Sequence, residues 1–303
     1  MSQTSTSWAP RASLNVARGG LTDATVAGTA YAIGGFTSGF ATELDSVERY
    51  EAAADKWRLS TPMPTARGNP AAAVARGRVY VFGGFVANKT VDVVEEFDPR
   101  SQRWRTRQPL PGARGGPGAA TINDRVYLVG GFDVDDLATN AVDSYDPRTD
   151  SWQAARPMAA KRGLLKAAIA QGRLYAIGGR DDSGAFLSTV ERYDPRADKW
   201  QTMAPMKEAR GNPAVATVAD QIFVIGGANG SGALRSTEVY DPRTDRWRLL
   251  DVLLADGRAS FSAAHVQTRD RHDLIIAFGG FRPTAAGPVA TDRVEALQTH
   301  RPR

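Results

Sequence analysis

The chain has 303 residues, a formal net charge of +5 and no cysteine. Without cysteine, disulfides, thiolate catalysis and cysteine-ligated metals are all excluded, and no stretch approaches the ~18 consecutive apolar residues of a membrane helix. Arginine carries most of the positive charge but is scattered rather than clustered with stacking aromatics, so nucleic-acid binding is not expected.

Residues 1–11 (MSQTSTSWAPR) have neither the apolar centre nor the cleavage pattern of a signal peptide, which points to a cytoplasmic setting. Trp8 stands in this segment without a repeat in front of it. From Arg18 onward the chain repeats. An Arg opens each unit: Arg18, Arg67, Arg114, Arg162, Arg210 and Arg258. An apolar run then ends in a Gly-Gly doublet: Gly34-Gly35, Gly83-Gly84, Gly130-Gly131, Gly178-Gly179, Gly226-Gly227 and Gly279-Gly280. The doublets are 49, 47, 48, 48 and 53 residues apart, a period characteristic of propeller blades or stacked arrays. An aromatic follows (Tyr50, Phe97, Tyr145, Tyr193, Tyr240), then an Asp-Pro type turn, then a Trp seven residues after the aromatic (Trp57, Trp104, Trp152, Trp200, Trp247).

Runs such as Arg78–Phe82 and Arg125–Val129 are β-branched and aromatic between turn residues, so they read as strands. Each unit yields four: strand a after the Arg, b ending at Gly-Gly, c with the aromatic and d with the Trp. The last unit has a strand c at Val294–Leu297 but no Trp after it, while Trp8 is a strand d lacking a unit. Joining the two pairs both open edges. The expected fold is therefore all-β: a six-bladed β-propeller of four-stranded antiparallel blades, closed by the N-terminal strand. One domain spans 1–303, with blades at about 18–61, 67–109, 114–156, 162–204, 210–251 and 258–298, the last completed by residues 5–12.

The Gly-Gly doublet after an apolar strand, the Val-Glu-Arg-Tyr-(Asp-Pro) run and the Trp seven residues beyond its Tyr resemble the kelch repeat over essentially the whole chain. The resemblance implies a propeller, as in standalone bacterial examples, but no single function, since kelch propellers include adaptors, structural proteins and enzymes. Galactose oxidase-like copper enzymes need a Tyr cross-linked to Cys, and there is no Cys. Plant specifier proteins carry a Glu-x-x-x-Asp-x-x-x-His iron pattern. The residues four before His265, His272 and His300 are Phe261, Thr268 and Ala296, so that pattern is absent. A sialic acid mutarotase-like activity would need no metal. No metal or other cofactor is expected.

Each opening Arg is matched by a strand-c acid: Glu48, Glu95, Asp143, Glu191, Glu238 and Glu295. One ion pair per blade is expected to hold the loop before strand a, because a buried charge must be paired. Function should lie where the units differ. The d–a and b–c loops share a face. The residues after Gly-Gly there are Phe36, Phe85, Phe132, Arg180, Ala228 and Phe281. Two after the Arg come Gly20, Asn69, Gly116, Leu164, Asn212 and Ser260. This reads as an apolar cup with one cation, in which Phe36, Phe85, Phe132, Arg180, Phe281, Asn69, Asn212 and Ser260 bind a peptide or small-molecule ligand. The alternative is that the rings tuck under their own loops. A monomer is expected.

Strand a should line the channel with one unpaired edge, which suits Pro70, Pro117 and Pro213. Among its small residues Asp23, Lys166 and His265 stand out. Closure makes the blades of Asp23 and His265 neighbours. An Asp orienting a His would suit general acid–base catalysis in a metal-independent isomerase, mutarotase or cyclase, though a structural polar plug holding ordered water is the plainer reading. Lys166 falls in the opposite alternation and is expected to meet an acid at the mouth. The acidic loops Asp133-Val-Asp135-Asp136 and Asp181-Asp182 lack the glycine turn and terminal Glu of a calcium loop, so they read as solvated charge.

Overall fold

The computed structural model describes residues 7–268 and 272–299. Six four-stranded antiparallel sheets follow one another, each ordered a-b-c-d from the axis outward. The four strands of blade 1 are Thr22–Val26, Thr29–Ile33, Val47–Glu51 and Lys56–Ser60. In blade 6, strands a to c are Ser262–Gln267, Asp273–Phe278 and Val294–Thr299. The fourth strand is Ala9–Arg11, with Ala9 opposite Ala296 and Arg11 opposite Val294. The ring thus closes through its N-terminal strand, as the orphan Trp8 implies. Residues 5 and 6 of the expected strand, residues 269–271 and His300 lie outside the described residues. The b–c loops add what four strands per unit did not foresee: short ribbons at Phe85–Val86/Lys89–Thr90, Ala228–Asn229/Gly232–Ala233 and Phe281–Thr284/Gly287–Ala290, and a 3-10 turn at Ser38–Phe40.

Strand b is sandwiched between neighbouring blades, so both its faces are buried. Arg78–Phe82 and Arg125–Val129 are covered after their first residue, which explains their continuous apolar character. Strand a pairs only with b, and its inner edge is free to carry Pro next to it. The recurrent alanines Ala24, Ala73, Ala120, Ala168, Ala216 and Ala264 are all buried between blades.

All six expected ion pairs form: Arg18–Glu48 at 2.9 Å, Arg67–Glu95 at 2.7 Å, Arg162–Glu191 at 2.5 Å, Arg210–Glu238 at 3.0 Å, and the close pairs Arg114–Asp143 and Arg258–Glu295. Both members of each pair are buried, and burial pulls the Arg258 guanidinium down to about 10 against the opposing charge of Glu295. The acids also accept backbone N–H groups of the preceding loop. Asn15 and Val16 donate to Glu48, Ala159 and Ala160 to Glu191, and Lys207 and Glu208 to Glu238. Hydrogen bonds from both a guanidinium and backbone amides offset the desolvation of each carboxylate.

The Gly-Gly doublets do more than turn the chain. The second glycine donates its N–H to the carbonyl of the next blade's Arg, from Gly35 to Arg67 (2.9 Å) around to Gly280 and Arg18 (2.7 Å). The first glycine packs against that same carbonyl: a Cβ on Gly83 would sit 2.2 Å from the oxygen of Arg114. Gly83 also has φ +56°, a region that disfavours any side chain.

One seam is less regular. Trp104, Trp152, Trp200 and Trp247 each donate an indole N–H to a carbonyl of the preceding blade's exit loop. The Nε1 groups of Trp8 and Trp57, on either side of the closing strand, are buried without a partner among the described residues. Ahead of Trp8's blade the loop is longer by one residue: Trp247 and Arg258 are 11 apart where the other five such pairs are 10 apart.

Candidate functional site

The d–a and b–c loops do meet on one face. Each residue after Gly-Gly bridges the residue after the Arg of its own blade, as Gly19 with Phe36 and Gly163 with Arg180. The expected Phe-lined cup is not what this face presents. Phe36, Phe132 and Phe281 are only 3%, 4% and 5% exposed, and Phe85 is half-buried. Each ring lies against the glycine that follows the next blade's Arg: Phe36 on Gly68, Phe85 on Gly115, Phe132 on Gly163 and Phe281 on Gly19. These rings are wedges between blades, not a lining. Blade 4 has Arg180 at this position, and Phe186 from farther along its loop covers Gly211 instead. Blade 5 has Ala228, and the next blade has Ala259 where the others have glycine. Arg180 lies over the Phe132 ring, 5.1 Å from its centroid, and stays half-exposed. The exposed aromatic here is Phe40, whose ring packs at 4.4 Å from Phe281 and 5.5 Å from Phe36.

The residues two after each Arg form something the sequence did not announce. Gly20 donates its N–H to the Ser260 carbonyl, Asn69 to Gly20, Gly116 to Asn69, Leu164 to Gly116, Asn212 to Leu164 and Ser260 to Asn212, at 2.6–3.0 Å. Six residues, one per blade, therefore close a hydrogen-bonded collar around the channel mouth. All six residues are left-handed, with φ between 44° and 63°. Asn69, Leu164, Asn212 and Ser260 are half-buried at this mouth, and Asn212 Nδ2 donates to Ser260 Oγ at 2.9 Å.

Just inside the collar, the first residues of strands a line a partly open cavity of about 130 Å³, bounded by Thr22, Asp23, Pro70, Ala71, Ala72, Pro117, Gly118, Ala119, Lys166, Ala167 and Val215. Asp23 comes from blade 1 and Lys166 from blade 4, three blades around the ring, so they face one another across it. Burial pushes the Asp23 carboxyl up to about 6, against the pull of the Lys166 charge and a hydrogen bond with Ser262. Burial likewise lowers the Lys166 ammonium, with Asp23 opposing. Alternation along the strand set these two on different faces. A lysine is long enough to reach the axis from either.

His265 does not join them. Its Nε2 is 2.8 Å from Oδ1 of Asp273, at the start of strand b in its own blade. The position of His265 on strand a is two residues farther from the mouth than that of Asp23, in a half-buried ring with Thr25, Val74, Thr121, Ile169 and Thr217. The acidic loops turn on themselves: Asp133 Oδ1 accepts the amides of Asp135 and Leu137, and Asp181 Oδ1 those of Ser183 and Ala185. Among the described residues no three His, Asp or Glu side chains converge as a metal site would require.

The Kelch-repeats domain of the KLHDC2/KLHL20/DRC7 type matches residues 20–227, more than two thirds of the chain, and a further Kelch motif matches residues 209–250. The chain belongs to the kelch-repeat family. Its kelch propeller is similar to the solved structure of YjhT, with a TM-score of 0.78 and 18% identity over 95% of this chain and 99% of that one. At that identity the likeness concerns the fold alone. A comparison with curated proteins finds no match. Kelch propellers generally serve to bind partners, and no helix among the described residues is long and apolar enough to cross a membrane.

Proposed function

We propose that this kelch propeller is a recognition module that binds a peptide or small ligand over the collar. Asn69, Asn212 and Ser260 offer hydrogen bonds, Leu164 an apolar contact, and Arg180 a charge at the rim. The observation that carries this reading is the conformation of the collar. A left-handed non-glycine residue costs about 1–2 kcal/mol, least for Asn. Gly20 and Gly116 show that the ring closes equally well with glycine. Four side chains are nonetheless retained at the mouth, and strain of this kind concentrates at ligand sites. The wedge rings Phe36, Phe132 and Phe281 support the rim from below.

The test is a thermal-shift screen of small metabolites and short peptides on the wild type, repeated on Asn69→Gly, Leu164→Gly, Asn212→Gly and Arg180→Ala. The glycine variants should melt at the same temperature or higher and lose the ligand-induced shift. Hits whose shifts survive all four substitutions would place binding elsewhere. An acid–base role for Asp23 with His265 has no support in the geometry, because His265 is engaged by Asp273.

A further inference from the structure

The cavity beneath the collar holds two opposite charges on opposite walls. Lys166 and Asp23 are not within the 4.0 Å of a contact ion pair, and the Lys166 ammonium has no hydrogen-bond partner among the described residues. Asp23 has the Ser262 hydroxyl beside it, and much of the remaining wall, as at Pro70, Pro117, Ala119 and Val215, is apolar. Two half-buried charges that do not touch are each only partly compensated, which favours something between them that meets both. A molecule with an anionic and a cationic end does this, turned so that each end meets its opposite.

We propose that this cavity binds a small α-amino acid as its zwitterion, the carboxylate on Lys166 and the ammonium on Asp23. Size selects within that class. A cavity of ~150 Å³ holds benzene, with six non-hydrogen atoms, so about 130 Å³ suits glycine, alanine or serine. Small walls leave room for about a methyl or hydroxymethyl group beyond the two ends. The raised Asp23 carboxyl fits a site awaiting a cation, and an ammonium ligand would draw it back down. This site is distinct from the face above the collar, so the two readings fail separately.

The experiment is calorimetric titration of the full chain with glycine and L-alanine at neutral pH, beside acetate and methylamine, which each carry one of the two ends. The zwitterions should bind at least about tenfold more tightly than either half. Asp23→Asn and Lys166→Met should each weaken L-alanine by a similar factor, while Leu59→Ser on the exposed outer strand of blade 1 leaves it unchanged. If glycine and L-alanine show no heat at about 10 mM, or bind no better than acetate and methylamine, the proposal is wrong. The comparison of whole with half ligands is made on the wild type, so it decides the matter even if a channel variant fails to fold.

Discussion

Replacing Gly68 with alanine tests whether the buried phenylalanines are wedges between blades. An alanine Cβ there would lie 1.8 Å from Cε2 and 1.9 Å from Cζ of Phe36. Ordinary contact between carbons needs about 3.5 Å, so the ring would have to retreat by roughly 1.7 Å. Phe36 is 3% exposed and held by Phe40 and Phe281, so there is little space to retreat into. Gly68 has no left-handed φ, which leaves steric overlap as the cause, at about 2–3 kcal/mol, the upper part of the range for overpacking. Phe36→Ala alone should cost about 3–5 kcal/mol. In the double variant the overlap has vanished, so Gly68→Ala becomes neutral or stabilises by up to about 1 kcal/mol. A coupling of about 2–3 kcal/mol is therefore expected from urea unfolding of the four proteins. Blades 5 and 6 carry this pairing already, with Ala228 followed by Ala259. By the same logic Ala228→Phe should be tolerated only together with Ala259→Gly. If the two substitutions at 36 and 68 add to within about 0.5 kcal/mol, the wedge account is wrong.

Two further outcomes follow from the channel and the seam. The Asp23 carboxyl lies near 6 in the fold and near its ordinary value of 3.8 when unfolded, so its charge opposes folding above about pH 6 and the penalty disappears below about pH 4. Wild type should gain about 2 kcal/mol relative to Asp23→Asn between pH 7 and pH 4; a difference flat with pH in chemical denaturation would refute the burial of that charge. Deleting residues 1–12 removes Trp8 and uncovers the edge of Val294–Thr299, which should lower the melting temperature and give oligomers on size-exclusion chromatography. A monomer of unchanged stability would show that closure contributes nothing.

The ring, its order of strands and its closure were legible because they rest on local spacing: Arg to Gly-Gly, Tyr to Trp, and the unmatched Trp8. The ion pairs were legible because six buried arginines require six acids. The fate of the phenylalanines was not, since it depends on which glycine of the following blade lies beneath each ring. A trace was present all the same: the blade with Ala228 at that position precedes the one blade with Ala259 in place of glycine. The collar was hidden because Leu164 and Ser260 do not advertise a left-handed backbone as glycine does. The Asp23–Lys166 cavity was missed through treating alternation as decisive for a side chain long enough to swing past its own strand.

In the collar, each residue donates its N–H to the blade before it and accepts at its C=O from the blade after it, so the six bonds run in one rotational sense. Dipoles arranged in such a circle cancel in the plane of the ring, unlike those of a helix end, which add along one axis. The backbone at this mouth therefore lends it little sign of its own. Whether a cation or an anion is drawn to the opening is left to the few side chains around it, and exchanging Arg180 for an acid would reverse that preference while leaving the ring intact.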